Sequence, residues 1–410
     1  MTLVYDPRLP EVQADPYPGL RRLQDEDPVH RSEVLSAWVL TRYADVKVAL
    51  ADPRLSADRI TPFLEHQVRG GGDTIRELGR QVGLWAVFTD PPTHTRLRGL
   101  LNRAFTSNTV ERLRPRIETI VAELLGAVGA AGRMDVIGDF AYPLPVTVIG
   151  ELIGLPREDR ERLKRWSDEL ASFVGSARET PDKYTRAGQG LGEMSEYFRR
   201  LIALRRAAPR DDIMTSLIAA EERGAVLTED ELVATCVMLL FAGHETTANL
   251  IGNGVLTLLR HRAELETWRR DPSLTPTGVE ELLRYDGPGQ AMVRVAREDL
   301  DLYGRRIRRG ERLFLMINGA NRDPRQFVDP DRLDVCRTDN RHLAFGQGPH
   351  FCVGAPLARL EAEIAIPALI TRLDGLLLET NRLEWLDSLI FRGVRSLCVR
   401  FRPAVGALPS

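Results

Sequence analysis

Residues 345–354 read FGQGPHFCVG and place a single thiol, Cys352, among glycines, a proline and aromatic rings. The apolar-periodic stretch APLARLEAEIAI follows at once and predicts a helix starting just beyond the sulfur. Free N–H groups and the dipole at a helix start stabilise a thiolate, the form of cysteine that binds metals. Gly348 and Gly354 allow a tight turn and close approach to a flat ligand, and Phe345 can shield one side of the sulfur. One thiolate cannot hold a bare metal ion, yet it can hold an iron whose equatorial ligands come from a porphyrin. Taken alone, the stretch reads better as a buried cysteine in a turn.

A second stretch, FAGHETTANL at 241–250, interrupts an apolar helix with a glycine and polar groups. Ala242, Gly243, Thr246 and Thr247 fall at three- and four-residue spacings and share one face, with Glu245 beside it. Two small residues and two hydroxyls on that face leave room for a small ligand and a proton donor. A third stretch, EELLRY at 280–285, carries acids at three and four residues before Arg284. Spacing cannot choose between Glu280 and Glu281, and by default such a pair is an exposed contact worth a few tenths of a kcal/mol.

These residues sit in a chain of 410 residues, 43% hydrophobic, with a formal net charge of −2. No Ser/Gly/Pro-rich linker, charge block or repeat divides it, so one domain over 1–410 is expected. The balanced charge argues against nucleic acid as the main partner. The first residues, MTLVYDPRLPEVQADPYPG, lack an apolar h-region, so no signal peptide or membrane anchor is expected and a cytoplasmic location fits. The longest apolar run, LVATCVMLLFAG at 232–243, suits a buried helix. Cys236, Cys336 and Cys398 form no paired motif and read as core or incidental residues.

Helical periodicity dominates. PYPGLRRLQDEDP predicts a first helix, VHRSEV and AWVLTRY a β-hairpin, and ADVKVALAD a helix. Residues 56–84, with glycines at 70–72, read as a long irregular loop. Helix follows helix from PPTHTRLRGLLNRAF to about residue 285. Short strands are expected around RVAREDLDLYG, RLFLMIN and SLIFRGVRSLCVRFRP, with GRRIRRGER as a solvated turn.

In this order the stretches resemble the cytochrome P-450 superfamily of haem-thiolate monooxygenases. FGQGPHFCVG matches the Phe-Gly-x-Gly-x-His-x-Cys-x-Gly signature, AGHETT the oxygen-binding helix, and EELLR the Glu-x-x-Arg at Glu281 and Arg284. FVDPDRL at 327–333 is similar to the segment that supplies a third ion-pair partner, here Arg332. TDPPTHTRLR is similar to the helix whose histidine and arginine, here His94 and Arg98, meet a haem propionate. Arg294 and His350 match two further propionate contacts.

The resemblance implies a mainly α fold with small β-sheets, a triangular helical prism, holding haem b with Cys352 as the iron ligand. It implies cofactor contacts from Ala242, Gly243, Phe345, Gly348 and Gly354, and proton delivery by Thr246 and Glu245 during dioxygen activation. One oxygen atom would enter a lipophilic molecule of terpenoid, steroid, fatty acid or polyketide class. By placement, the substrate would meet Trp85, Phe88, Phe173, Val174, Leu239, Phe241, Gln290 to Val293 (with Met292) and Leu389 to Phe391 (with Ile390). Electrons would arrive from a separate ferredoxin and its NAD(P)H-dependent reductase, docking near Arg103, Arg112 and Arg359. Alternatives are a haem-thiolate peroxygenase, a haem-based sensor and, outside haem chemistry, a hydrolase pairing Cys352 with His350.

Overall fold

The longest helix, Glu229–Arg260, is capped by Thr228: its hydroxyl accepts from the Glu231 amide at 3.2 Å, and the Glu231 carboxylate accepts from the Thr228 amide at 2.8 Å. The pair satisfies two free donors, and Glu229, Asp230 and Glu231 lie at the positive end of the helix dipole. Every residue from Leu232 to Phe241 and from Thr247 to Leu259 is buried, as expected of a helix apolar on all sides. Ala242, Gly243, Glu245 and Thr246 open instead into a cavity.

The computed structural model describes residues 3–67, 73–175, 182–222, 227–380 and 382–403. Helices Pro143–Ile153, Lys183–Ala207, Thr275–Asp286 and Ala355–Arg372 pack around the central helix. Glycines set how closely they approach. A Cβ on Gly243 would lie 2.7 Å from Ile149 Cγ1, and one on Gly252 would lie 2.4 Å from Ile137 Cδ1. Residues 136–153 also form a stretch long and apolar enough to cross a membrane. Here Phe140, Leu144, Ile149 and Ile153 are buried in the main core.

On the other side, a five-stranded sheet runs in the order Val29–Ser32, Ala37–Leu40, Arg312–Met316, Ala291–Ala296, Leu55–Ser56. Antiparallel pairing of Val293 with Phe314 and Arg294 with Leu313 fixes which side chains of that strand face inward. The hairpin Leu300–Leu302/Arg305–Ile307 turns at Tyr303 and Gly304, both at positive φ as a two-residue hairpin turn demands. The basic run 304–312 lies along this hairpin and the turn at Gly310. A small sheet of Arg133–Asp135, Cys398–Arg400 and Leu377–Leu378 completes a mostly helical fold with small sheets.

The expected hairpin at 29–40, and helices Tyr17–Glu26 and Tyr43–Ala51, are in place. The expected loop at 56–84 is different. It contains helices Ile60–Gln67 and Asp73–Val82, and Leu78 and Val82, one turn apart, are buried. The glycines at 70–72 lie outside the described residues.

Candidate functional site

The Cys352 loop is folded by two left-handed glycines and its own backbone. Gly346 and Gly348 have φ of 75° and 72°, and the Cys352 amide donates to the Phe345 carbonyl at 2.9 Å. Gly348 does not face the cavity as expected: a Cβ there would meet Ala51 at 3.0 Å, so it lets the loop lean on the Tyr43–Ala51 helix. Gly354 does line the cavity and caps the Ala355–Arg372 helix, which has Pro356 in its first turn. Burial pushes the Cys352 thiol up, while the amides of Gly354 and Ala355 and the cations Arg98 and Arg359 favour the thiolate. Phe345 is buried, and the Arg359 guanidinium covers its ring at 4.5 Å.

Across the cavity stands the broken stretch of the central helix. The Thr246 hydroxyl donates to the Ala242 carbonyl at 3.2 Å, one turn back. Glu245 is raised to about 7, by burial first and by the nearby Asp168 second. The absent side chain of Gly243 accommodates Ile149, while its backbone stays on the cavity wall.

Between these two walls lies a rim of nitrogen groups. The His94 and His350 rings are 4.0 Å apart, and Arg98 and Arg294 also line the cavity. Burial lowers His94, and burial together with His94 and Arg294 lowers His350 to about 3. The Arg98 Nε donates to Asn102 at 2.9 Å. Arg294 donates through Nη1 to the Val293 carbonyl at 3.0 Å, yet its Nη2 is buried without an acceptor. Asp90, the acid whose charge acts on Arg294, is occupied by Ser56, the Ala57 amide and Arg297. A rim with donors to spare suits a ligand that brings its own carboxylates.

The structure decides between Glu280 and Glu281. Glu281 and Arg284, both fully buried, pair bidentately at 2.7 and 2.8 Å. The Arg284 Nη1 donates to the carbonyls of Asn321 and Pro330 at 3.0 and 2.8 Å. The third partner is Arg337, whose Nε lies 3.2 Å from Glu281; the expected Arg332 is exposed and offers only its backbone carbonyl to Arg284. Asp329, at φ 46°, turns the chain here, and the segment meets the carboxylate through the Asp334 amide at 2.9 Å and the Arg337 side chain. Glu280 instead binds Arg359 at 2.6 Å and His342 at 3.1 Å. Arg359 is thus tied down, whereas Arg103 and Arg112 are exposed.

The cavity measures about 350 Å³. Trp85, Phe88, Val174, Leu239, Phe241, Met292, Val293 and Ile390 line it as expected. Phe173, Gln290 and Leu389 do not: Phe173 packs on Tyr184, and Gln290 turns its amide to the Ser388 carbonyl at 3.2 Å. Sequence reasoning passed over Arg59, Met238 and Glu361, which also line it. Met238 could have been found as the residue one turn before Ala242. For the other two no motif gave a signal.

One cavity is thus lined by a cysteine in a glycine-turned loop, a polar break in a buried helix and a cationic rim. The Cytochrome P450 family model matches residues 40–384, and the chain belongs to that family, whose cofactor is haem. It is 39% identical over 406 residues to "Polyketide biosynthesis cytochrome P450 PksS" of Bacillus subtilis (strain 168), covering 97% of this chain and 98% of that one. It is 38% identical over 411 residues to "6-deoxyerythronolide B hydroxylase" of Saccharopolyspora erythraea, covering 98% and 99%. The crystal structure of CalO2 superposes with a TM-score of 0.92 at 36% identity, covering 98% of this chain and 99% of that one. The protein is a P450-type monooxygenase.

Proposed function

We propose that this chain acts as one cytoplasmic unit that holds haem b through Cys352 and oxygenates a lipophilic small molecule, the polyketide class foremost. Electrons come from a separate ferredoxin and its NAD(P)H-dependent reductase. The observation that carries the reading is the placement of Cys352 opposite the Ala242–Thr246 break across one cavity. His94, Arg98, Arg294 and His350 hold the propionates, and the free Nη2 of Arg294 fits that role. Apolar walls favour a lipophilic substrate, and the names of PksS and 6-deoxyerythronolide B hydroxylase favour the polyketide class.

Bound haem supplies the reductive activation of dioxygen, with one oxygen atom entering the substrate and the other leaving as water. The chain itself manages protons and solvent. Glu245, poised near 7, gives and regains a proton at neutral pH without a large penalty either way. Thr246 is pinned by its bond to Ala242, which holds the hydroxyl oxygen at the cavity wall as the next station. Trp85, Phe88 and Phe241 exclude water around them. This proton route favours a monooxygenase over a peroxygenase or a sensor, neither of which uses it.

The test is the spectrum of the reduced carbon monoxide complex. A red-shifted Soret band is expected, and Cys352→Ala should abolish it. A band that survives the substitution would refute the ligand assignment.

A further inference from the structure

One cavity residue has no place in the scheme above. Arg59 follows the short strand Leu55–Ser56, whose pairing with Val295 and Ala296 sets it beside the 291–294 segment of the wall. Its guanidinium lies 4.7 Å over the Phe88 ring, and Nη2 makes one long bond, 3.4 Å, to the Val174 carbonyl. Burial first, and then the cations Arg294 and Arg312, lower Arg59 to about 10. No carboxylate pairs with it among the described residues. Asp58, adjacent in sequence, spends its carboxylate on the amides of Ile60 and Thr61 at 3.0 and 2.9 Å, capping the next helix. Asp90 is taken by Ser56, the Ala57 amide and Arg297.

The same wall carries a second donor without an acceptor. Trp85 stacks on Phe88 at 6.0 Å, and its indole Nε1 is buried and unpartnered. Around both, the cavity is lined by Val87, Met238, Leu239 and Phe391. A buried cation in such surroundings is costly unless an anion accompanies it. The haem rim already has two imidazoles and two guanidiniums for its carboxylates. Arg59 rests on Phe88 and Val174, residues of the substrate part of the cavity.

We propose that Arg59 is a specificity-determining residue that anchors the carboxylate of an amphipathic acid, whose apolar body extends along the aromatic and aliphatic wall. This rests on the cavity being the substrate site of a P450 monooxygenase, and narrows the lipophilic substrate to one with an anionic end.

The test uses haem-loaded enzyme and three probes of equal chain length: tetradecanoic acid, tetradecanol and tetradecylamine. Calorimetric titration gives each dissociation constant. The acid should bind at least about tenfold tighter than the alcohol, the scale of one charge-assisted hydrogen bond, and the amine weakest of all. Arg59→Gln should erase the preference while leaving haem content and alcohol affinity unchanged, and Arg59→Lys should keep part of it. Acid binding no tighter than alcohol binding, including no binding by either, overturns the proposal. So does haem loss in Arg59→Gln with the preference intact, which would place Arg59 on the haem rim. The carbon monoxide band of the unsubstituted enzyme separates the two readings: with the band present, the absence of any preference for the acid in that enzyme refutes only the anchor, whereas an absent band refutes the haem-thiolate assignment.

Discussion

Replacing Glu281 tests the buried ion pair, because the structure sets its cost against that of its neighbour. Glu281 accepts from Arg284, Arg337, the Asp334 amide and Asn340, and it and Arg284 are fully buried. In Glu281→Ala the Arg284 guanidinium keeps its carbonyl acceptors but loses the carboxylate that compensates it. Breaking one side of such a pair costs about 3–5 kcal/mol. With an unfolding entropy of roughly 2.1 cal/mol/K per residue, a chain of 410 residues should lose about 3.5–6 °C in Tm. Glu280→Ala breaks contacts to Arg359 and His342 that are 29% exposed on the glutamate side. Solvent screening limits that loss to about 1 kcal/mol, or roughly 1 °C. Arg332→Ala should cost less still, because only its carbonyl takes part, whereas Arg337→Ala should resemble a milder Glu281→Ala. Thermal melts of haem-loaded variants, with haem content measured alongside, read all four. Equal losses for Glu280→Ala and Glu281→Ala, or a larger loss for Arg332→Ala than for Arg337→Ala, would refute the argument.

Thr246→Ala should keep haem and substrate binding and still consume reduced cofactor, but release mostly hydrogen peroxide; undiminished coupling would assign proton delivery to another group. Glu245, raised from 4.5 to about 7, is protonated below that value, so coupling should fall as pH rises through about 7 and this step should vanish in Glu245→Gln. The same shift means the native state binds this proton more tightly than the unfolded chain does; its stabilising contribution is full below 4.5 and gone above about 7. Gly243→Ala should destabilise by about 1–3 kcal/mol through overpacking on Ile149. Its cost should shrink when Ile149→Ala is already present, a coupling that a double-mutant cycle reads. Removing exposed Arg103 and Arg112 should slow reduction by a ferredoxin and flatten its salt dependence, and a rate indifferent to both changes would point to an apolar contact.

Local spacing carried the parts of the site that a few consecutive residues can encode. The cysteine loop and the break in the central helix were legible because their residues act within one turn of the chain. Glu280 and Glu281 were not separable, since both share a helical face with Arg284 and only tertiary packing buries one of them. Arg337 was out of reach for a similar reason: the turn at Asp329, a residue at φ 46°, decides which arginine returns to Glu281. The helices at 60–67 and 73–82 flank the glycines at 70–72, which read as a loop, although the sequence of 73–82 is strongly one-sided and places Leu78 and Val82 on one buried face. Phe173 and Gln290 were correctly placed near the cavity in sequence, but side-chain direction turned them onto Tyr184 and Ser388.

The unpaired Nη2 of Arg294 bears on how the protein is made as well as on how it works. Without a bound ligand, the chain keeps a guanidinium donor out of water with no acceptor among the described residues, next to two crowded imidazoles. If haem propionates take that donor, as proposed, the cofactor is a late participant in folding, and its free concentration sets the stability of the finished protein by mass action. Starved of haem, a cell would accumulate chains that melt early and are degraded first, so the amount of active enzyme should follow cofactor supply more steeply than it follows gene dosage.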